Sequence, residues 1–359
     1  MIKQVIITSA HVNAVGLALS LREVGFDGPV VCLQHKLKQR SIASRFPHLC
    51  DVRLITEPES DRLPDLISEN YRPSETGVLF TDERYLHSFL SSGQFRHFKG
   101  AGDRLQTAVN KWQFYQFIES EKLASIPLTV PSDVDPFSVF SGPFRSRVWQ
   151  SWSQLKKYPR GRLIRSQSEL DNWKAEVITK QIDSTEWGYQ QQLSAKPNDN
   201  VSVVGWHDRE TRQSLVTRRV SVASGLGWLI ERIDDPSELV DQAHNILDAL
   251  DFEGPFEMEY VFNPSDNTFR VIELNPRFWM QHRLFQHLTD HAPIRRFLGK
   301  RYSKTVRCDG PVNWLQTDVA LASPVMAAKY LRKGILAHPI KGALSNLVVR
   351  KMRTLSGTA

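Results

Sequence analysis

One segment limits the fold of this chain more than any other: Gly254-Pro255-Phe256-Glu257-Met258-Glu259-Tyr260-Val261-Phe262, the stretch Asn263-Pro264-Ser265-Asp266-Asn267, and Phe269-Arg270-Val271-Ile272-Glu273-Leu274-Asn275-Pro276-Arg277. Two β-rich runs flank a cluster of Pro, Ser, Asp and Asn, which is the pattern of a β-hairpin. Side chains two apart on a strand share a face, so Glu257 and Glu259 point one way, and Glu273 and Asn275 share a face of the partner strand. Closing the hairpin sets these groups opposite one another as a cluster of carboxylates and an amide oxygen. Like charges so close repel, and a cation between them relieves the repulsion. Hard oxygen donors suit Mg²⁺ or Mn²⁺ and suit Zn²⁺ or Cu²⁺ poorly. A magnesium site with few carboxylates completes its shell with water and nucleotide phosphate oxygens. The apolar neighbours Val271, Ile272 and Leu274 mark the second strand as buried, where a glutamate such as Glu273 needs a partner. Arg277 follows on the side of Asn275, suited to neutralising a transferring phosphoryl group. The strand register leaves Glu259 or Glu257 as the ligand beside Glu273 and Asn275.

The rest of the chain supplies the frame. Val5-Ile6-Ile7, Pro29–Leu33, Val52–Ile55 and Gly77–Phe80 read as short buried strands. Between the first two, Ala14–Val24 has helical apolar spacing and stops at Gly25. A helix-like stretch, Glu83–Leu90, follows the fourth strand. This alternation predicts a parallel sheet covered by helices, with ligands received beyond the strand C-termini. Asn110–Glu121 is an amphipathic helix with Trp112, Phe114, Tyr115, Phe117 and Ile118 clustered, and Pro131–Pro143 reads as a connector. Val177-Ile178-Thr179 reads as a strand, as do Val201–Val204 and Ser214–Val222. Ser224–Gly227 reads as a turn, and Pro236–Leu250 as a helix with Leu239, Ala243, Ile246, Leu247 and Leu250 on one face.

Composition narrows the class. With 359 residues, 41% of them hydrophobic and 24% charged, the chain is an ordinary globular one of two or three domains. No apolar run is long enough to span a bilayer, and the N-terminal apolar run is too short for a signal peptide, so a cytoplasmic location is expected. Cys32, Cys50 and Cys308 include no close pair in sequence and read as isolated thiols rather than a disulfide scaffold or zinc site. The net charge of +7 is spread along the chain, densest at Arg145–Arg165 and at Lys329, Arg332, Lys333, Lys341, Arg350, Lys351 and Arg353. No nucleic-acid signature accompanies it, so the excess reads as solvated surface and as a preference for anionic small molecules.

The motif Ile272-Glu273-Leu274-Asn275-Pro276-Arg277, with Glu257-Met258-Glu259-Tyr260 before it, resembles the two metal-binding strands of ATP-grasp enzymes. Phe278-Trp279-Met280-Gln281-His282 continues in the manner of the carboxylate–amine ligase branch that resembles carbamoyl-phosphate synthase. The resemblance runs through roughly residues 1–300 and implies a Rossmann-like pre-ATP-grasp α/β domain followed by a two-lobed ATP-grasp fold. The boundaries it implies are 1–105 for the first domain, 106–178 for the N-terminal lobe, 179–300 for the C-terminal lobe with the hairpin, and 301–359 for an extension. Ser44-Arg45-Phe46 is similar to a turn of the pre-ATP-grasp domain, and Asn110-Lys111-Trp112 to the entry of the helix that opens the ATP-binding lobe. By the same likeness, Lys111 contacts the nucleotide. Val177–Trp187 is matched to the hinge strand, which would place Lys180 near base and phosphates, the backbone at Ile182 against adenine, and Glu186 on the ribose hydroxyls. Arg218 or Arg219 stands where the family often has a basic residue before a flexible loop.

The chain departs from the family at three places. Arg147, in Pro143-Phe144-Arg145-Ser146-Arg147, stands where a phosphate-binding lysine is usual, and arginine can serve there. Gln154–Arg162 holds only Gly161 where a glycine-rich lid is usual, and Thr179 stands at the hinge acid. The resemblance implies an ATP-dependent ligase, working through an acyl phosphate and joining a carboxylate to an amine or thiol, with ADP and phosphate released. ATP and Mg²⁺ (or Mn²⁺) are the expected cofactors, small anionic carboxylates and amines the expected substrates, and a homodimer the expected assembly. A carboxylase-like or kinase-like ATP-grasp enzyme, and a non-catalytic nucleotide-binding module, are the alternatives.

Overall fold

The computed structural model describes residues 1–35, 41–55, 62–81, 85–86, 89, 95, 97–98, 100–149, 161–194, 196–223, 226–234, 237–307, 309–317, 320, 328–330 and 332–337. The first sheet contains β1 (Gln4–Ile7), β2 (Val30–His35), β3 (Asp51–Ile55) and β4 (Thr76–Leu79), all parallel, in the order β3-β2-β1-β4. Parallel strands need crossovers, here α1 (Val12–Glu23) between the neighbours β1 and β2, and α2 (Leu63–Ser68) on the connection from β3 at one edge to β4 at the other. Both faces are covered along the inner strands, which are mainly apolar on both sides, whereas the edge strand β3 leaves Asp51 and Leu54 exposed. Val5, Ile7 and Cys32 pack with α1, while Ile6, Val31 and Val78 pack with Ile67 of α2. The strand order turns back at β1, the place where an open α/β sheet opens a crevice at its strand ends.

A second, seven-stranded sheet runs β13-β12-β9-β10-β11-β14-β15. It is made of β9 (Asn200–His207), β10 (Arg212–Ala223), β11 (Leu226–Ile233), β12 (Gly254–Asn263), β13 (Thr268–Asn275), β14 (Asn313–Leu315) and β15 (Gly334–Leu336). The expected hairpin is therefore β12-β13. The third sheet is antiparallel, in the order β5-β8-β6-β7, from β5 (Thr129–Pro131), β6 (Phe144–Val148), β7 (Leu163–Ile164) and β8 (Trp187–Gln191). Helices α3 (Leu105–Val109) and α4 (Lys111–Ser120) lead into it, and α5 (Pro136–Val139) and α6 (Gln167–Thr179) belong to its lobe. Asn110 caps α4 by accepting the Gln113 backbone N–H, an arrangement worth about 1 kcal/mol.

Helix α7 (Ser237–Ala249) covers the large sheet with Leu239, Ala243, Ile246 and Leu247, against Phe256, Met258 and Tyr260 of β12. Because β12 alternates, this packing turns Glu257 and Glu259 to the opposite face. Two short helices follow the hairpin, α8 (His282–Leu288) and α9 (Ala292–Phe297), and they lock it to the first sheet. The Phe278 N–H donates to the Phe80 carbonyl at 2.9 Å, and His282 lies against α1, its Nε2 2.9 Å from the Asn13 carbonyl. A Cβ on Gly16 would fall 2.8 Å from that same Nε2, so α1 needs glycine where the helices meet. Arg283 adds two hydrogen bonds to Glu23, each 3.1 Å.

Two expectations are corrected here. Val177-Ile178-Thr179 is not a strand but the last turn of α6. Ser166 caps that helix by accepting the Glu169 backbone N–H, and Leu170, Trp173 and Val177 bury one face against Phe144, Trp187 and Tyr189. Burial of that face outweighs the few tenths of a kcal/mol by which β-branched residues disfavour a helix. The thiols of Cys32 and Cys50 are not isolated from each other: both are buried and free, and hydrogen-bonded together, which raises Cys32 and lowers Cys50 from the usual thiol range. The helix expected at Glu83–Leu90 falls largely outside the described residues. So do residues 154–160 of the glycine-poor stretch, Ser224-Gly225, Cys308, the basic residues beyond Lys333 and the terminal segment. Among the described residues, no helix is long and apolar enough to cross a membrane.

Candidate active site

A cleft of about 630 Å³ lies between the cation-bearing face of the small sheet and the carboxylate face of the hairpin. The hairpin register sets Glu257 opposite Asn275 and Glu259 opposite Glu273. Glu257 and Glu259 therefore share one face with both partners, and both line the cleft. Asn275 ties the pair together, its Nδ2 donating to Glu257 Oε2 at 3.2 Å and to Glu259 Oε1 at 3.3 Å. Its Oδ1 accepts from Arg277 Nη2 at 3.0 Å. Glu273 pairs with Lys111, which α4 delivers from its first turn. Arg219 pairs with Glu259, and Glu259 holds its proton affinity above the usual guanidinium range. Arg218, the alternative, points the other way and pairs with Glu231 at 3.1 Å.

Electrostatics at the hairpin are unbalanced. Glu257 is 7% exposed and Glu259 9%. Burial, and then repulsion from Glu259, raise Glu257 to about 7 despite Arg219 and Arg277 nearby. Two buried carboxylates bridged by one amide form a donor set that a hard divalent cation relieves, and all the donors are oxygens or can present one. The oxygens of Glu257, Glu259 and Asn275 are of the hard type that Mg²⁺ or Mn²⁺ takes.

The facing wall is basic. Arg145 and Arg147 project from alternate positions of β6 into the cleft, held at Nε by Gln192 Oε1 (2.7 Å) and Gln190 Oε1 (2.9 Å). The lining thus carries the cations Lys111, Arg145, Arg147, Arg219 and Arg277 against the three glutamates. The formal balance of the lining is two positive charges, a potential that favours anions. At the end by β8 the lining is Gln191, Gln192 and Leu193, with the Gln192 amide accepting from Arg145 and donating to the Leu193 carbonyl.

Of the residues singled out from sequence, Lys111, Arg147, Arg219, Glu257, Glu259, Glu273, Asn275 and Arg277 meet in this cleft. Lys180, Ile182 and Glu186 do not. Lys180 ends α6 and pairs with Glu176, the Ile182 side chain packs in the apolar core of the small lobe, and Glu186 closes a capping box with Asp183. The strand that borders the cleft is β8, several residues further along, because 167–179 is consumed by a helix. Sequence reasoning missed Arg145 and the glutamines 190–192. The Arg-Ser-Arg alternation of β6 carried a signal for Arg145, since side chains two apart share a face; Gln190-Gln191-Gln192 carried none.

Residues 229–294 match the family model described as the carbamoyl-phosphate synthase L chain, ATP binding domain, a stretch that contains the whole hairpin. Several solved structures share the fold. N5-carboxyaminoimidazole synthetase from Staphylococcus aureus aligns with 92% of this chain and 86% of its own, at a TM-score of 0.66 and 14% identity. Biotin carboxylase from Campylobacter jejuni aligns with 83% and 70%, at 0.60 and 13%. The biotin carboxylase domain dimer of Hydrogenobacter thermophilus 2-oxoglutarate carboxylase, solved with MgADP, ADP and bicarbonate, aligns with 86% and 72%, at 0.63 and 11%. At such identities the likeness is one of fold. No curated protein matches the sequence.

Proposed function

The chain is an ATP-grasp protein, and from that premise we propose that it is an ADP-forming ligase that activates a carboxylate with MgATP and joins it to an amine. The observation that carries this reading is the single cleft in which the hairpin carboxylates Glu257, Glu259 and Glu273, with Asn275, face Lys111, Arg145, Arg147, Arg219 and Arg277. A carboxylate cluster alone would suit many cations, and a basic wall alone many anions. The two together suit a metal–polyphosphate complex.

Mg²⁺ held by Glu257, Glu259, Glu273 and Asn275 would neutralise phosphate charge during in-line transfer. The chain's own groups do the rest. Lys111, Arg147 and Arg219 bind the phosphates, and Gln191, Gln192 and Leu193 receive the nucleoside against an amide-rich, partly apolar wall. An oxygen of the substrate carboxylate attacks the γ-phosphorus, the bond to the ADP oxygen breaks, and ADP leaves. Arg277, held by Asn275, stabilises charge on the acyl phosphate so formed. The amine then attacks the acyl carbon, loses a proton and expels phosphate. No protein nucleophile is needed. The fold neighbours favour a second reading of the same chemistry, in which bicarbonate is the carboxylate.

The test is a screen of MgATP with pools of carboxylic acids, bicarbonate and amines, following ADP and phosphate release together with product mass. ADP release that requires both a carboxylate and an amine, with a product lighter than their sum by one water, supports the ligase. Release with bicarbonate and an amine alone supports carboxylation. ADP release that yields a stable phosphorylated substrate would refute both in favour of a kinase.

A further inference from the structure

Arg147, on β6 of the small sheet, is held by a chain of hydrogen bonds that ends on the hairpin. Arg147 Nε donates to Gln190 Oε1 at 2.9 Å. Gln190 Nε2 donates to the Tyr115 hydroxyl oxygen at 2.8 Å, and the Tyr115 hydroxyl donates to the Ile272 carbonyl at 2.7 Å. Gln190 is 2% exposed and Tyr115 1%, so neither exchanges these partners for water. Burial lifts the Tyr115 hydroxyl to about 12, which keeps it a donor.

Each link fixes the next. The Ile272 carbonyl can only accept, so the tyrosine hydroxyl must donate to it and accept from Gln190. Gln190 therefore spends its amide N–H on tyrosine and turns its oxygen to Arg147. Arginine answers that oxygen with Nε and still offers its paired terminal nitrogens, the fork that matches a phosphate. A lysine carries three N–H donors on a single nitrogen but no planar fork, so a lysine bonded to Gln190 would meet a phosphate as a point charge rather than through paired donors. The end of the chain matters too. Glu259 pairs with Glu273 and Tyr260 with Val271, so Ile272 is the extra residue of a β-bulge, and its carbonyl is the one that Tyr115 takes. Ile272 immediately precedes Glu273, and Tyr115 lies one turn along α4 from Lys111, which pairs with Glu273. One helix thus ties the phosphate-facing arginine of the small sheet to the carboxylate strand of the large one.

We propose that Tyr115 and Gln190 are positioning residues that set Arg147 for polyphosphate and make arginine, rather than lysine, the cation that this cleft requires. The inference rests on the nucleotide reading of the cleft. Its test is a double-mutant cycle on the full chain, with MgATP affinity read by calorimetry and folding by thermal melting. Tyr115→Phe should weaken MgATP about tenfold, the scale of losing one well-placed hydrogen bond between the Arg147 guanidinium and phosphate. Arg147→Lys should weaken it by at least as much, and in the Arg147→Lys background Tyr115→Phe should cost less than twofold further, because the chain then has nothing to orient. Gln190→Met, which breaks the chain one link closer to Arg147, should reproduce the loss and serves if Tyr115→Phe does not fold. Native-like affinity in a folded Tyr115→Phe or Gln190→Met protein, or fully additive losses, would overturn the inference while leaving the nucleotide reading intact. Absence of MgATP binding by the unaltered protein would overturn both.

Discussion

Replacing Arg219 by methionine tests the electrostatic account of the cleft without any knowledge of substrate. The change keeps most of the aliphatic stem and removes the charge that faces Glu259. Glu257 and Glu259, both under a tenth exposed, are then left together with the Asn275 amide between them. Removing one partner of a buried pair costs about 3–5 kcal/mol. The Arg219 side chain is 24% exposed, so the lower end applies, about 3 kcal/mol. At roughly 2–4 °C per kcal/mol, Tm should fall by about 6–12 °C. A divalent cation should return much of this. At a concentration of about 100 Kd it contributes about 2.7 kcal/mol, and in the variant it no longer competes with a guanidinium for the same oxygens. Melting curves with and without Mn²⁺ should therefore show a larger metal-induced rise in Arg219→Met than in the native protein. A variant that melts within a degree of native, or one that gains no more from Mn²⁺ than native does, would refute the claim that Arg219 offsets the repulsion between these carboxylates.

Three further outcomes follow from the same geometry. Glu273→Gln should lower ADP-forming turnover at least 100-fold with an unchanged circular-dichroism spectrum; near-native turnover would remove Glu273 from the metal set. Lys180→Ala and Glu186→Ala should bind MgATP within twofold of native by calorimetry, since both lie outside the cleft; a tenfold loss in either would show a contact that the structure does not have. The fold should weaken in acid. Burial lowers His282 to about 3, and His244 and His291 to about 4, so each stays neutral when folded but takes up a proton when unfolded as pH falls below about 6.5. Between pH 6.5 and 5 this costs about 2 kcal/mol per histidine. Glu257, raised to about 7, acts in the opposite sense and returns about 2 kcal/mol, leaving a net loss of roughly 4 kcal/mol. Urea midpoints at the two pH values measure it, and equal midpoints would contradict the buried neutral histidines.

The hairpin was legible from sequence because its chemistry follows the period of a strand. Glu257 and Glu259 alternate with Phe256, Met258 and Tyr260, and burial of the apolar set decides where the acids point. The parallel sheet was legible for a similar reason, its inner strands carrying apolar runs, Val5, Ile6 and Ile7 in β1 and Val30, Val31, Cys32 and Leu33 in β2. The hinge was misread because Val177-Ile178-Thr179 carries strand propensity inside a helix whose real signals lie upstream, in the Ser166 cap, in Glu169 three residues on, and in Leu170, Trp173 and Val177. That single error displaced Lys180, Ile182 and Glu186 together, since all three were placed by their distance from a strand that is not there. The Arg147–Gln190–Tyr115 chain had no local signal. Its members lie 32 to 75 residues apart, and only the packing of α4 between the two sheets brings them into contact.

The acyl-phosphate step is tested most directly by oxygen transfer. The carboxylate that supports ADP release is supplied with ¹⁸O in its carboxyl group, and the released phosphate is weighed by mass spectrometry. The account predicts that each phosphate carries one ¹⁸O atom, because the carboxylate oxygen that attacks the γ-phosphorus leaves with it when the amine displaces phosphate. Unlabelled phosphate formed at the rate of product would contradict the account.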